Sequence, residues 1–274
     1  MPFLEVSDGT KLNYVDWGSG KPIVFLHGRG GSLELFGYQT AQLSKEFRVL
    51  AFDARGHGSS DKPNSSYSHD EFARDVRDFI TTLGLDKVDL VGASTGSFVI
   101  QNYVKKYGSD GISTIALISS TPVFAARDDF PYAFSPKGFD EIKAKLNTDY
   151  PRSVMEFNRF LFHGEPSAAT LNWMFGISLK TPLLVLLKTL DANIAMDYRD
   201  VLASFNKPTL LIQGVHDKLC PFGAAKFMSE HIRGSRLELF ENSGHCPYIE
   251  EQQKMNEILE DFVRNRQFQS SNLF

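Results

Sequence analysis

The chain has 274 residues, of which 42% are hydrophobic and 23% charged, and this length fits one large α/β domain or two smaller ones. Its 29 basic and 33 acidic side chains give a net charge of −4, which indicates no surface for nucleic acid. No secretory signal is visible, and the longest apolar run, residues 182–187, is too short to span a bilayer. We therefore expect a cytoplasmic protein with no nucleic-acid or membrane partner; the sequence leaves open whether it forms a homo-oligomer.

Strand and helix patterns alternate along the first 121 residues. Apolar or alternating runs predict strands at residues 3–6, 12–17, 23–26, 49–52, 88–91 and 115–118. Apolar residues spaced by three and four predict a helix over residues 72–83, and the Ser68-x-x-Glu71 capping box precedes it. A second helix is expected over residues 97–107. This alternation predicts an α/β fold with a mainly parallel central sheet and helices on both faces.

The alternation stops between residues 122 and 206. Helical periodicity covers residues 139–146, 154–162, 168–175 and 183–190 without convincing strand runs. Because so long a stretch is rarely structureless, we predict a helical cap at residues 122–206, inserted between two core strands. Residues 1–121 and 207–265 then form the core domain, with further strands at 208–214 and 237–240. Residues 266–274 are predicted to be a loose tail.

A serine between two glycines stands at one strand-to-helix junction. Gly92-Ala93-Ser94-Thr95-Gly96 directly follows the apolar run at residues 88–91 and precedes the predicted helix. A turn this tight tolerates only glycine at the two positions that flank it, two residues before and two after the serine, and it exposes the hydroxyl, which is the nucleophile-elbow pattern. Ser94 is therefore the candidate nucleophile.

The chain also offers the two partners that a nucleophilic serine needs, a histidine base and a carboxylate that orients it. In one known chain order of this triad, serine is followed by the acid and then the histidine. Asp217 follows the strand at 208–214, and His245 follows the strand at 237–240, so both lie where an open sheet builds its crevice. The weaker alternatives are Glu241 and Asp191 for the acid, and the other histidines for the base.

A glycine-rich loop, residues 27–32, follows the strand at 23–26. Acyl transfer places negative charge on the former carbonyl oxygen, which backbone N–H groups in a rigid loop can stabilise. We predict an oxyanion hole formed by the N–H groups of Thr95 and Arg29, with Gly28 as the alternative to Arg29.

Together these motifs resemble the α/β-hydrolase fold superfamily, close to its carboxylesterase and cofactor-free haloperoxidase branches. The resemblance runs from about residue 3 to about residue 263 and is carried by residues 27–28, 53–60, 92–96, Asp217 and residues 243–245. It implies that residues 53–60 are structural, so His57 is not counted as catalytic. Where many relatives have an aromatic residue this chain has Arg29, which would put a cation at the pocket mouth. Gly30 stands where haloperoxidase-like relatives often have proline.

Two further features concern the surroundings of the site. The cap segment is rich in aromatic residues, which favours an apolar substrate group of modest size, although many of these rings are expected to serve packing. Cys220 and Cys246 are too few for a disulfide framework, and buried packing is preferred over a disulfide or redox switch.

The sequence thus predicts a serine hydrolase that cleaves small, apolar carboxylic esters through an acyl-enzyme. Neither a cofactor nor a metal is expected. The alternatives are a carbon–carbon bond hydrolase, a lactonase, a perhydrolase of the haloperoxidase type, or a slow-turnover receptor that binds a small molecule and signals to a protein partner.

Overall fold

The structure, a computed structural model, describes residues 1–265; the predicted tail at 266–274 lies outside them. Within the described residues one eight-stranded sheet has the order β1-β2-β4-β3-β5-β6-β7-β8. Strands β1 and β2 pair antiparallel and β2 is antiparallel to β4, whereas all later neighbours are parallel. The strands are β1 (Phe3–Glu5), β2 (Lys11–Trp17), β3 (Pro22–Leu26), β4 (Arg48–Phe52), β5 (Val88–Ala93), β6 (Ile112–Ile118), β7 (Thr209–Gly214) and β8 (Arg236–Phe240).

Helices connect these strands and lie on both faces of the sheet, which confirms the predicted fold class. They are α1 (Gly37–Leu43), α2 (His69–Thr82), α3 (Thr95–Tyr107), α4 (Pro136–Thr148), α5 (Tyr150–Phe160), α6 (Ala168–Ser178), α7 (Leu183–Ala195), α8 (Phe222–His231), α9 (Pro247–Glu250) and α10 (Gln252–Asn265). The capping box at α2 is present, because Ser68 and Glu71 each bond the other's backbone N–H.

Two hydrophobic cores explain why the central strands are apolar on both sides. Along β3, Val24 and Leu26 pack with α2 and α3, while Ile23 and Phe25 pack on the opposite face with α1 and α10. Successive side chains of a strand point to opposite faces, so a strand covered by helices on both sides is apolar throughout. This arrangement holds the carboxyl ends of the parallel strands at one edge of the sheet.

Helices α4 to α7 all lie between β6 and β7, at the helical segments that the sequence predicted. The division of the chain into core and cap domains stays a prediction. Leu186 of α7 lies against the turn at Gly30, and Val185 lies against the turn at Gly56. The inserted helices therefore contact the loops that follow β3 and β4. In residues 1–265 no single helix is long and apolar enough to cross a membrane. Helices α6 and α7 taken together have sufficient length and apolar composition, but the chain bends by 92° between them.

Candidate functional site

Ser94 occupies a strained turn between β5 and α3. Its backbone has φ 51° and ψ −121°, outside the regions that non-glycine residues ordinarily adopt, and its N–H donates to the carbonyl of Ile118 at 2.9 Å. A Cβ on Gly96 would overlap the carbonyl oxygen of Leu26, and one on Gly92 would come within 2.6 Å of the backbone of Gly96. The two glycines are therefore required for the turn, as the elbow pattern predicts.

Asp217 and His245 come together at the ends of β7 and β8. His245 Nδ1 lies 2.8 Å from Asp217 Oδ2, and Asp217 Oδ1 accepts the backbone N–H groups of Leu219 and Cys220 at 2.8 and 2.9 Å. Both side chains are buried. Because an ionised carboxylate only accepts hydrogen bonds, it keeps the proton on Nδ1 and leaves Nε2 free to take a proton.

Contacts remote in sequence hold the His245 loop in place. The N–H of His245 donates to the carbonyl of Leu161 at 2.7 Å. The carboxylate of Glu250 accepts the N–H groups of Gly244 at 2.9 Å and of His163 at 2.8 Å, and burial raises the pKa of this carboxyl. Glu250 thus ties the histidine loop to the chain that follows α5, a role with no local sequence signal.

The predicted oxyanion loop lies beside the nucleophile. A Cβ built on Gly28 would be 3.1 Å from Ser94 Cβ and 3.6 Å from Ser94 Oγ. Among the described residues, no hydrogen-bond acceptor pairs with the N–H of Thr95 or of Arg29, and the same is true of Gly28. These groups are free to donate to a substrate oxygen, so the structure leaves the choice between Arg29 and Gly28 open.

A buried chain of hydrogen bonds leads from Thr95 into the inserted helices. Asn193 of α7 donates to Thr95 Oγ1 at 2.8 Å, His69 Nε2 lies 2.8 Å from Asn193 Oδ1, and His69 Nδ1 lies 2.8 Å from the hydroxyl of Tyr198. The amide oxygen can only accept, so Nε2 donates and Nδ1 accepts from the tyrosine. Burial lowers the pKa of His69 to about 4, which keeps the ring neutral. The sequence did not indicate this chain.

Ser94 and His245 line one small cavity, here called the inner cavity, of about 40 Å³. None of the six other histidines, all within the described residues, lines it. His27 and His57 line a separate small cavity together with Thr95 and Gly96, and burial lowers the pKa of His57 to about 3. His163 and His216 are exposed and stack on each other at 3.5 Å between ring centroids.

The rival carboxylates lie elsewhere. Asp191 on α7 is exposed and forms an ion pair with Lys143 at 2.5 Å. Glu241 is exposed in the turn after β8, and neither residue lines the inner cavity. The geometry therefore pairs His245 with Asp217.

An outer cavity of about 330 Å³ adjoins the inner one. The two share a wall formed by Arg29, Gly30, Ile142, Phe157, Asn158 and Ser178. Aromatic side chains of the inserted segment reach the outer cavity at Phe134, Phe157 and Phe160, whereas Phe130 and Phe162 pack in hydrophobic cores. Some of the predicted aromatic residues thus line a pocket, and others serve packing.

Both cysteines are free and fully buried, as the packing interpretation expects. Possible ligand atoms of Asp217, Cys220 and His245 lie within 4.8 Å of one another, a spacing that a metal ion could bridge. Burial raises the pKa of the Cys220 thiol well above its usual value, so the thiol is neutral when no metal is bound. Both oxygens of Asp217 are already engaged, so this donor set fits a histidine–carboxylate pair better than a metal site.

Comparisons with known proteins extend over nearly the whole chain. A family model described as alpha/beta hydrolase fold matches residues 21–252. The chain is 31% identical to the AB hydrolase superfamily protein YisY of Bacillus subtilis, covering 95% of this chain and 98% of that protein. An esterase from Exiguobacterium antarcticum superposes with a TM-score of 0.93 at 33% identity, covering 96% of this chain and 98% of the esterase. A bromoperoxidase from Bacillus anthracis superposes with a TM-score of 0.92 at 26% identity, covering 96% of this chain and 100% of the bromoperoxidase.

Proposed function

The chain belongs to the α/β-hydrolase fold family, and we propose that it is a serine esterase that cleaves carboxylic esters. The observation that carries this proposal is the strained Ser94 in the inner cavity, together with His245, whose Nδ1 is bound by Asp217 at 2.8 Å. The similarity to a known esterase supports the same reaction class. The aromatic walls favour an apolar chain of modest size in the substrate.

The mechanism follows from the positions of these groups. Ser94 Oγ attacks the ester carbonyl while His245 Nε2 takes the hydroxyl proton, and Asp217 stabilises the imidazolium. The N–H groups of Thr95 and Arg29 stabilise the oxyanion; removing one such donor typically costs about 10² to 10³ in kcat. His245 then gives its proton to the leaving alkoxide. Water, deprotonated by His245, attacks the acyl-enzyme and releases the acid and free Ser94.

The experiment is hydrolysis of p-nitrophenyl esters from acetate to decanoate by the wild type and by Ser94→Ala. We expect kcat to fall by several orders of magnitude in Ser94→Ala while the circular dichroism spectrum and Tm are kept. The matched control is Ser113→Ala, since Ser113 lines neither cavity and its hydroxyl donates to the carbonyl of Lys87 at 2.8 Å. Near-normal turnover by folded Ser94→Ala would refute the proposal. Slow turnover by the wild type would favour a carbon–carbon hydrolase, a lactonase or a receptor.

Perhydrolysis is the second candidate, supported by the similarity to a bromoperoxidase. Hydrogen peroxide would replace water in attacking the acyl-enzyme and would release a peracid. Gly30 argues against a strong activity of this kind, because its φ of 71° is inaccessible to the proline of haloperoxidase-like relatives. Peracid formation from acetate esters and peroxide, compared with hydrolysis in the same mixture, measures the balance between the two reactions.

A further inference from the structure

The cationic side chain of Arg29 lies in the pocket wall and forms no ion pair with the described residues. Its side chain is partly buried and lines both cavities, and its Cζ lies 4.9 Å from the centroid of the Phe157 ring. Within residues 1–265 its guanidinium has no hydrogen-bond or ion-pair partner. Arg55, which is fully buried, is instead paired with Asp75 at 2.5 Å.

An unpaired charge in a partly buried position is costly, because it loses part of its hydration without gaining a partner. Burial lowers the pKa of Arg29 to about 10, so the guanidinium stays charged at neutral pH. The stacking on Phe157 offsets only part of the lost hydration. A group of this kind is stabilised when a ligand brings the missing anion.

The other charged groups of the outer cavity do not neutralise Arg29. Glu141 and Glu156 are exposed at its rim, where water screens them, and Glu156 is paired with Lys145 at 3.2 Å. No carboxylate oxygen of the described residues lies within 4.0 Å of the Arg29 guanidinium. A bound anion would therefore meet the guanidinium without displacing an existing partner.

The rest of the shared wall suits a chain that is apolar with one polar end. Ile142 and Phe157 supply apolar surface, while Asn158 and Ser178 are its other polar side chains. These two residues bond only weakly to each other, at 3.3 Å, so the amide can turn its N–H toward an anion. The shared wall and the Arg29 guanidinium together fit a ligand with an aliphatic chain and a negatively charged end group.

We propose that Arg29 binds a carboxylate of the substrate, so that the preferred substrates are monoesters of aliphatic dicarboxylic acids. This inference rests on the proposed esterase function. With the Arg29 backbone N–H as the predicted oxyanion donor, its guanidinium takes the far carboxylate, so the arginine side chain itself sets the distance between the two ends. The planar fork of arginine matches a carboxylate with two parallel hydrogen bonds.

The experiment compares monomethyl esters of succinic to suberic acid with matched methyl esters whose far carboxylate is replaced by a primary amide. The amide has nearly the same shape but no charge. Because hydrogen bonds to a charged group contribute more than neutral ones, the wild type should show a kcat/KM about 10- to 100-fold higher for the carboxylate, at the chain length that spans the site. This ratio should fall to about one in Arg29→Gln and stay intermediate in Arg29→Lys.

The matched control is Lys145→Gln, which removes an exposed cation of the same cavity that is already paired with Glu156. It should change the ratio by less than about twofold, because exposed ion pairs contribute little. A wild-type ratio near one, or a ratio that Arg29→Gln leaves unchanged, would overturn the proposal and leave Arg29 a packing role on Phe157.

A binding measurement separates this inference from the proposed function. Calorimetric titration of Ser94→Ala with the same two ligands needs no turnover. A carboxylate preference that is lost on adding Arg29→Gln supports anion recognition even if neither ester is hydrolysed, in which case only the esterase proposal fails. Equal affinities for the two ligands would refute carboxylate binding whatever the catalytic result.

Discussion

The buried His69 should make the protein sensitive to acid, and His69→Gln should remove part of that sensitivity. Burial lowers the pKa of His69 from 6.5 to about 4, and its two ring nitrogens bond Asn193 and Tyr198. Above pH 6.5 the ring is neutral in both the folded and the unfolded chain. Between pH 6.5 and 4 only the unfolded chain binds the proton, so the free energy of unfolding falls as the pH falls.

The size of the effect follows from the pKa difference, since one pKa unit corresponds to about 1.4 kcal/mol. At pH 4.5 the His69 contribution to the free energy of unfolding should be about 2 to 3 kcal/mol lower than at pH 8. The glutamine variant has no such proton to take up. At pH 8 it should be less stable than the wild type by about 1 to 3 kcal/mol, because Tyr198 loses its acceptor.

The assay is urea unfolding of both proteins at pH 8 and pH 4.5, followed by circular dichroism and tryptophan fluorescence, whose coincidence tests two-state behaviour. The free energy of unfolding of the wild type minus that of His69→Gln should be about 2 to 3 kcal/mol lower at pH 4.5 than at pH 8. His57, whose pKa burial lowers to about 3, acts in the same direction but is common to both proteins and cancels. A difference that is constant or larger at pH 4.5 would refute the reasoning.

Two further predictions concern the site. Asp217→Asn should lower kcat for p-nitrophenyl esters about 10⁴-fold, because the amide favours the wrong tautomer of His245. The control is Asp191→Asn, which changes an exposed carboxylate. Equal losses of kcat in the two variants would count against the pairing of His245 with Asp217. Cys220 and Cys246 should resist thiol reagents in the native protein and react in urea, because both are fully buried and burial raises the pKa of each thiol. Rapid native labelling, followed by mass spectrometry, would contradict this.

Elements with strong local signals were predicted to within a few residues. Residues 92–96 predicted the elbow because only glycine fits the close backbone contacts on either side of Ser94. The box at Ser68 and Glu71 marked the start of α2, since both partners lie within one helical turn. Such signals act over a few residues, so the sequence alone carries them.

Helix α1 was not predicted, and its burial explains why. Its buried face carries the polar residues Gln39 and Thr40 beside Leu43, so no apolar periodicity marks it. Gln39 donates to the carbonyl of Tyr248, more than two hundred residues away, and Thr40 donates to the carbonyl of Phe36. Buried polar groups are acceptable when they are hydrogen-bonded, but a distant partner leaves no trace in the local pattern.

The sequence by itself determined the parallel α/β architecture, the elbow, and the candidates Ser94, Asp217 and His245, because period, glycine placement and chain order are local or linear properties. Only the tertiary structure decided that His245 pairs with Asp217, that Glu250 ties the histidine loop to the distant His163, and that Asn193 bonds Thr95 from α7. The sequence indicated a cation at Arg29. Its lack of a partner is a property of everything packed around it, which no single stretch of chain encodes.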